Sequence, residues 1–313
     1  MPWNDRIKRR LKLRDLDILM AVVQTGSMGN AARSLNMSQP AVSKAIADLE
    51  YATGVRLLDR SRQGVEPTPY GMALLKRGVV IFDELRHGIQ DIDFLADPTA
   101  GELRIGTTDP VSVAIVAPII KRLNAQYPRM TFHVFSGDTA TQLYQTMLGR
   151  KAEFVISRIA SPAPDEYSVE TLFQDSLVVA AGADNPWFRR RKIKLAELID
   201  EPWTLQPLDS FFGTLVAEAF RASGLALPRL TVGATSIHLR SEMLASGRFL
   251  TIVPGFSLKL PHKHPSLRAL PVELPNTRHP VAIIMLKNRS LGPLAQLFIK
   301  HVRAIVKPLA KTG

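Results

Sequence analysis

The sequence contains no cysteine. This absence excludes a disulfide framework, a thiolate zinc site and a cysteine nucleophile, and it fits a protein of a reducing compartment. Long apolar runs are also missing, because the longest stretches, such as 111–120, are broken well before the roughly 20 residues that a membrane span needs. The basic start of the chain is followed by no apolar segment, so it does not read as a secretory signal. We therefore expect a soluble, cytoplasmic protein without a membrane partner.

Motifs of common enzyme classes are absent as well. The sequence has no G-x-x-x-x-G-K-[ST], no G-x-G-x-x-G, no G-x-S-x-G and no H-E-x-x-H. His262 and His264 flank Lys263 in a stretch bounded by prolines, and a lone pair of this kind is more often a surface loop than a metal site. We predict that the chain is not an enzyme and binds neither a metal nor another cofactor.

What the sequence does have is an ordinary globular composition and a strong positive balance. Its 313 residues are 46% hydrophobic and 22% charged, which predicts two or three folded domains. The formal net charge is +12, and a basic balance is a weak sign of nucleic-acid binding when it stands alone. Residues 1–62 hold 11 Lys and Arg against six Asp and Glu, whereas residues 101–313 hold 26 against 16. The excess is therefore not confined to one end.

The first hundred residues read as helices with one short extended region. Three apolar stripes recur at helical spacing, on Leu16, Leu19, Met20 and Val23, then on Met28, Ala31, Ala32 and Leu35, then on Val42, Ala45, Ile46 and Leu49. Gly26 is placed to end the first helix, Ser27 and Ser38 to cap the next two, and Pro40 to occupy a first helical turn. Residues 55–68 read as two extended pieces around a turn, and a long helix follows from about residue 70 to residue 96.

The order of these residues is more specific than their spacing. The string SMGNAARSLNMSQPAVSKAIADLE, residues 27–50, resembles the helix-turn-helix of LysR-type transcriptional regulators, and GVRLLDR at 54–60 and TPYG at 68–71 match that family's wing and linker start without gaps. Leu58 and Tyr70 depart from the usual Phe and Ala. The resemblance covers residues 13–96 strongly and residues 100–313 in architecture. It implies a bacterial, sequence-specific DNA-binding regulator, activator or repressor, that is controlled by a small-molecule effector.

The region after residue 101 alternates strands with helices, which predicts parallel or mixed α/β sheets. We expect strands at 103–107, 131–135, 153–157, 176–181, 203–205, 230–233, 249–253 and 281–286. The resemblance implies an α/β multidomain fold with a C-terminal two-subdomain effector domain like a periplasmic binding protein. The expected boundaries are a winged helix-turn-helix at 1–68, a linker and dimerisation helix at 69–96, a hinge at 97–101 and an effector-binding domain at 102–313, with subdomain I at about 102–174 and 275–313 and subdomain II at about 175–274.

The third helix carries the candidate base-reading residues. With its apolar stripe turned inward, Gln39, Ser43 and Lys44 point outward near the helix N-terminus, the end that reaches base edges in a recognition helix. Gln pairs with adenine, Ser discriminates little, and Lys prefers guanine or phosphate. Without the motif, a solvated polar face would be the simpler interpretation. The full set of predicted DNA-binding residues is Arg33, Ser38, Gln39, Pro40, Ser43, Lys44, Arg60, Arg62 and Thr68, of which the last three lie in the wing region.

The long helix carries a narrow apolar stripe at coiled-coil spacing. The residues predicted to form a dimer contact are Met72, Leu75, Val79, Phe82, Leu85, Ile89 and Ile92. Because the rest of the helix is highly charged, such a stripe needs a partner, and the alternative is packing against its own chain. We expect a homodimer, and the resemblance implies a homotetramer.

Ligands of open α/β sheets bind beyond the carboxyl ends of strands. The predicted effector-binding residues at such positions are Thr107, Thr108, Ser136, Thr139, Arg158, Gln206, Ser210 and Gly255. For each of them the alternative is ordinary helix capping. The positive balance of this half slightly favours an anionic effector, although the cluster at 189–192 reads as a solvated loop. Expected partners are double-stranded DNA, the effector and, as a further candidate, RNA polymerase.

Three rival functions share parts of this pattern. A periplasmic solute-binding protein is disfavoured by the missing signal and by the helix-turn-helix. A constitutive or architectural DNA binder would leave nearly two thirds of the chain without a purpose. An α/β enzyme fused to a DNA-binding module lacks a catalytic constellation. A dependence of DNA affinity on a ligand would separate these alternatives.

Overall fold

The computed structural model describes residues 11–61, 64–137, 140–148, 151–159, 163–259, 267–287 and 289–310. Contacts divide the chain into two units, Met1–Ile89 and Gln90–Gly313. No helix among the described residues combines the length and hydrophobicity that a membrane span requires.

The first unit is a three-helix assembly followed by a hairpin and most of a long helix. Its elements are α1 (Leu13–Thr25), α2 (Met28–Ser34), α3 (Gln39–Thr53), β1 (Leu58–Ser61), β2 (Gly64–Pro67) and α4 (Pro69–Ala96), which runs on into the second unit. The predicted inward faces are confirmed for α2 and α3 and in part for α1. Leu16 and Leu19 of α1 and Ile46 of α3 are completely buried in one core, but Met20 is only half-buried and Ile18 and Val22 fill the core beside the first two.

Local signals in the sequence set the ends of these helices. Ser27 and Ser38 cap α2 and α3 by accepting the backbone N–H of Asn30 and Ala41 at 3.4 Å each. Gly26 follows α1 with a φ of 67°, a left-handed conformation that favours glycine. These caps fix the lengths of α1 and α2 and therefore where α3 begins.

The second unit contains two five-stranded sheets. The elements of the first sheet region are β3 (Ala100–Thr107), α5 (Asp109–Val111), a π-helical turn (Ser112–Val116), α6 (Ala117–Gln126), β4 (Arg129–Ser136), α7 (Ala140–Leu148), β5 (Phe154–Arg158), β6 (Tyr167–Asp175), β12 (His279–Leu286) and α11 (Pro293–Ala310). The strand order is β4-β3-β5-β12-β6. Strands β4, β3 and β5 are parallel, and β12 runs antiparallel to β5 and β6.

The second sheet has the order β11-β7-β10-β8-β9. Its elements are β7 (Leu177–Gly182), 3-10 helices at Pro186–Arg189 and Leu195–Leu198, β8 (Trp203–Leu205), α8 (Phe211–Ala222), β9 (Leu230–Gly233), α9 (Ile237–Ala245), β10 (Leu250–Pro254), α10 (Phe256–Lys259) and β11 (Leu267–Ala269). The chain passes from the first sheet to the second at Ser176 and returns through residues 270–278. The two crossings lie side by side, since the Leu177 N–H donates to Thr277 Oγ1 at 3.2 Å.

The predicted α/β class is confirmed, and each predicted strand has a counterpart. Two strands escaped the prediction, β6 and the short β11. The predicted hinge at 97–101 was too long, because Ala100 and Gly101 already pair with Arg129 and Met130 in the ladder between β3 and β4. The connection from α4 is therefore only residues 97–99, and Arg129 holds it by an ion pair of 2.5 Å to Asp97.

Candidate DNA-binding surface and effector cavity

Helix α3 presents its first turns to solvent. Ser38, Gln39, Pro40 and Lys44 are exposed and Ser43 is half-buried, as expected when the opposite face fills the core. The helix is held at its far end by Glu50, whose Oε1 accepts the backbone N–H groups of Leu57 at 2.8 Å and Leu58 at 3.3 Å. The predicted base-reading residues thus share one exposed face on a helix that is fixed by packing and hydrogen bonds.

The wing region confirms a hairpin but changes the role of one residue. Arg60 is exposed on β1, in register with Val65 of β2, whereas Arg62 lies outside the described residues. Thr68 is only 7% exposed. Its hydroxyl donates to Arg56 O at 2.8 Å and accepts the Gly71 N–H at 3.1 Å. The prediction that Thr68 contacts DNA was wrong, because this side chain ties the start of α4 to the hairpin.

Arg33 lies on α2, and its side chain is exposed. Its guanidinium donates to Asn30 Oδ1 at 2.5 Å on the same helix turn. This bond uses one nitrogen and leaves the residue at the surface, so a phosphate contact stays a prediction.

The apolar stripe of α4 divides into two parts. Leu75 and Phe82 pack against the core of their own unit, and Val79 is half-buried. The prediction that Leu75 and Phe82 face a partner therefore needs correction, since their own chain already covers much of both. The remaining members of the predicted set are exposed large apolar side chains, namely Met72, Leu85, Ile89 and Ile92.

A cavity of about 340 Å³ lies within the second unit. The first sheet contributes residues at or just after the carboxyl ends of its parallel strands, and the second sheet region contributes residues of β10, β11, α8, α9 and α10 and the residue that follows β8. The lining residues are Thr108, Asp109, Pro110, Ser112, Val113, Ala114, Gly137, Ser157, Arg158, Gln206, Phe212, Ile237, His238, Arg240, Ser241, Leu244, Thr251, Ile252, Val253, Pro254, Phe256, Ser257, Leu258 and Leu267. This is the position where an open α/β sheet places a ligand.

Three of the predicted effector residues line this cavity: Thr108, Arg158 and Gln206. The structure does not bring Thr107, Ser136, Ser210 or Gly255 into the lining, and Thr139 lies outside the described residues. Thr107 is fully buried and donates to Ile156 O at 3.2 Å. Ser136 is exposed at the end of its strand.

Ser210 and Gly255 have structural roles of their own. Ser210 caps α8 by accepting the Gly213 N–H at 3.0 Å, which is the ordinary alternative for a hydroxyl at a helix start. Gly255 donates its N–H to Ser176 O at 2.9 Å, and a Cβ at this position would lie 2.9 Å from that same oxygen. Both predictions of an effector contact are therefore corrected.

Arg158 lines the cavity, but both of its terminal nitrogens are engaged inside the protein. Its Nη2 pairs with the Asp175 carboxylate, and its Nη1 donates to Asp175 O at 3.0 Å and to Thr277 O at 3.1 Å. Burial raises the pKa of Asp175, and the charge of Arg158 with the N–H groups of Phe256 and Gly255 opposes that rise. Arg158 therefore bonds to the residue before the first crossing and to Thr277 in the second, and the predicted pairing with an anionic effector is replaced by an internal ion pair.

The expectation that ligands bind beyond the carboxyl ends of strands missed the contributions of α9 and β10 to the cavity. His238, Arg240 and Ser241 reach the cavity from a helix face, which that expectation does not consider. Thr251 is 1% exposed, and its hydroxyl has no hydrogen-bond partner within the described chain. A buried hydroxyl without a hydrogen-bond partner lowers the stability of the fold by about 1–3 kcal/mol. Thr251 therefore marks a point where a hydrogen bond to a bound molecule would add to the affinity. The π-helical turn, common at functional sites, adds Ser112 to the lining.

No group of three or more His, Cys, Asp or Glu residues with metal-binding geometry occurs in the described part of the chain. His262 and His264 lie outside that part.

Comparison with known proteins identifies both units. Residues 13–72 match the model described as bacterial regulatory helix-turn-helix protein, lysR family, and residues 96–307 match the LysR substrate binding domain. The regulator GbpR of Azospirillum brasilense is 29% identical over 305 residues, covering 97% of this chain and 89% of that protein. The uncharacterized regulator YdcI of Escherichia coli K12 is 25% identical over 304 residues, covering 97% and 98%.

Solved structures share the fold. Full-length CbnR in complex with its target DNA has a TM-score of 0.52 at 23% identity and covers 95% of this chain and all of that one. A full-length OxyR variant from Pseudomonas aeruginosa has a TM-score of 0.64 at 21% identity, with 96% of each chain covered. The relatives are named as transcriptional regulators rather than enzymes. Because the substrate-binding model alone matches more than half of the sequence, the chain belongs to the LysR family of transcriptional regulators.

Proposed function

We propose that this regulator binds double-stranded DNA through α3 and the β1–β2 wing, as a homodimer or homotetramer, and that a small molecule in the cavity of the second unit controls that binding. The observation that carries the proposal is the cavity itself, which residues from both sheet regions line. We assign DNA binding to residues 1–68, dimerisation to residues 69–96 and effector binding to residues 102–313. The cytoplasm is where such a protein meets DNA.

The DNA contact rests on the exposed start of α3. Gln39 is exposed beside the capping Ser38, and a Gln at this end of a recognition helix can pair bidentately with adenine. Arg60 on the wing suits the phosphate backbone, which fixes position without reading sequence. Gln39 should therefore govern selectivity and Arg60 general affinity.

The control mechanism rests on the two crossings between the sheets. Ser176 and the segment around Thr277 are the connections, and Arg158 bonds to Asp175, which directly precedes Ser176, and to Thr277. A molecule that fills the cavity touches both sheets, so it favours one relative orientation of them over another. Such a ligand shifts the protein only if its affinity differs between the two states.

The cavity suits a small molecule with an apolar body. Its volume falls within the roughly 300–1,000 Å³ range of ligand sites, and Val113, Ile252 and Phe256 supply apolar walls. Gln206 and Thr251 offer uncharged hydrogen-bonding groups. Because Asp175 neutralises Arg158, that arginine no longer argues for an anionic effector.

The DNA half is tested by fluorescence-anisotropy titration of the duplex upstream of this protein's own gene against a scrambled duplex. We expect Gln39→Ala to reduce the preference by roughly 5- to 150-fold, which corresponds to about 1–3 kcal/mol of discrimination. Arg60→Ala should weaken binding to both duplexes and flatten the salt dependence. Gln126→Ala, an exposed Gln on α6, is the matched control. Equal losses on both duplexes for Gln39→Ala would contradict the placement of the recognition helix.

The proposed effector binding is tested by a matched pair of variants. Thr251 and Thr204 are both buried threonines whose hydroxyls lack a partner among the described residues, and only Thr251 lines the cavity. Thr251→Val and Thr204→Val should both leave the ligand-free protein as stable as wild type or more so. We expect only Thr251→Val to reduce the thermal shift produced by an active metabolite. A similar reduction in Thr204→Val would count against Thr251 as a ligand contact.

A further inference from the structure

The second unit, to which we assign effector binding, carries more positive charge than a small-molecule site requires. Residues 101–313 hold 26 Lys and Arg against 16 Asp and Glu, and the cavity accounts for little of this. Part of the excess lies at the end of the first 3-10 helix of the second sheet region and just after it, on Arg189, Arg191 and Lys192, which we call the basic ridge. All three side chains are exposed.

The backbone beneath the basic ridge is fixed on both sides. Before it, Asn185 is 4% exposed, donates from Nδ2 to Gly247 O at 2.8 Å and accepts the Trp187 N–H at 3.0 Å. After it, Ile193 and Leu195 are buried in the core of the second sheet. The sequence suggested a solvated loop, whereas the structure shows three cations displayed from an anchored segment.

Two neighbouring arginines contact a carboxylate or an aromatic ring, whereas the cations of the basic ridge have no carboxylate beside them in the described part of the chain. Arg190 pairs with Glu197 at 2.7 Å and lies 5.4 Å from the Trp187 ring, and Arg268 lies 4.5 Å from the Phe188 ring. Within the described residues, no carboxylate lies within 4 Å of Arg189, Arg191 or Lys192. Three like charges held close together repel one another unless an anionic partner compensates them.

We propose that the basic ridge is a second, sequence-independent contact to the DNA phosphate backbone. The inference rests on the proposed DNA binding and adds a DNA contact from the second unit. A duplex offers a continuous row of phosphates, to which several neighbouring cations can bind with release of counterions. DNA held by α3 is also present near the same molecule at a high effective concentration. A discrete acidic protein surface has neither advantage, and it is the alternative partner that the experiment separates.

The test is the salt dependence of binding to a 60-bp random-sequence duplex (about six helical turns at 10–10.5 bp each), measured with the full-length protein. The slope of log K against log salt changes by about 0.9 for each phosphate contact. We expect Arg189→Gln/Arg191→Gln/Lys192→Gln to lower the slope by up to about 2.7 per engaged protomer. The control Lys121→Gln/Arg122→Gln/Lys151→Gln removes the same charge from exposed positions around the first sheet and should keep the slope.

Unchanged thermal unfolding of both variants shows that the fold is intact. Equal slopes for wild type and the ridge variant overturn the proposal. This is the result expected if the basic ridge binds an acidic protein, because its removal would then leave DNA binding unchanged. An equal fall in the control variant also overturns it, because total charge would then explain the effect. If wild type binds no duplex at low salt, the proposed DNA binding itself fails and the basic ridge loses its partner. Arg189→Lys/Arg191→Lys, which keeps the charge, should retain most of the slope.

Discussion

Replacing Arg158 by Met should destabilise the second unit strongly. The change removes the guanidinium that pairs with the Asp175 carboxylate and that bonds to Asp175 O and Thr277 O. The side chains of the pair are 7% and 5% exposed, so Asp175 would be left as an uncompensated charge away from water. Removing one partner of a buried ion pair typically costs about 3–5 kcal/mol.

Calorimetry of the full-length chain is the assay. For a folded unit of this size, each kcal/mol lowers the transition temperature by about 2–4 °C, so the transition of the second unit should fall by roughly 6–20 °C. The transition of the first unit should not move, because none of the lost bonds involves it.

The loss of stability caused by Arg158→Met should also depend on pH. Burial raises the pKa of Asp175, and Arg158 opposes that rise, so the substitution raises this pKa further. A carboxyl whose folded-state pKa exceeds its unfolded value binds a proton on folding, and its stabilising contribution is lost as pH rises through the folded pKa. The stability of Arg158→Met relative to wild type should therefore improve on acidification.

A second substitution makes the reasoning refutable. In Arg158→Met/Asp175→Asn the stranded charge is absent, so most of the lost stability should return. A loss below about 1 kcal/mol in the single variant, or no recovery in the double variant, would show that the ion pair does not hold the crossings. Arg158 would then again be a candidate effector ligand.

Two further pairs of substitutions test the first unit and the long helix. A Cβ at Gly71 would lie 2.0 Å from Leu57 O, whereas one at Gly88 of the same helix meets nothing within 4 Å. Gly71→Ala should therefore lose about 1–3 kcal/mol in chemical denaturation, and Gly88→Ala should gain about 0.5–1 kcal/mol; equal effects would mean that the start of α4 is not packed this closely. Leu85→Glu/Ile89→Glu places charges on two exposed positions of α4 and should yield monomers in analytical ultracentrifugation, whereas an unchanged assembly would move the dimer contact elsewhere.

Periodicity and caps predicted the first unit well because each helix buries one clean stripe. Strand β6 escaped prediction because its faces are mixed: Val169 and Thr171 are exposed while Phe173 is buried, and the register of β6 shifts at Leu172. No apolar alternation survives such a bulge.

The effector cavity was predicted only in part. Thr108 and Gln206 follow strand ends, which a rule based on order along the chain can find. The role of Arg158 depends on Asp175 and Thr277, which lie 17 and 119 residues away in sequence, and no local pattern reveals such partners. Arg240 reaches the cavity from a helix that the fold, rather than the sequence, places there.

The central claim is that a molecule in the cavity of the second unit changes DNA binding. The most direct test is the affinity for the duplex upstream of the gene, measured across a metabolite panel for wild type and for Ser241→Phe, which places a phenyl ring in the cavity lining. We expect both proteins to prefer this duplex over a scrambled one, and one metabolite to change the affinity of wild type only. A variant that responds to that metabolite as wild type does would contradict the assignment of the cavity as the control site.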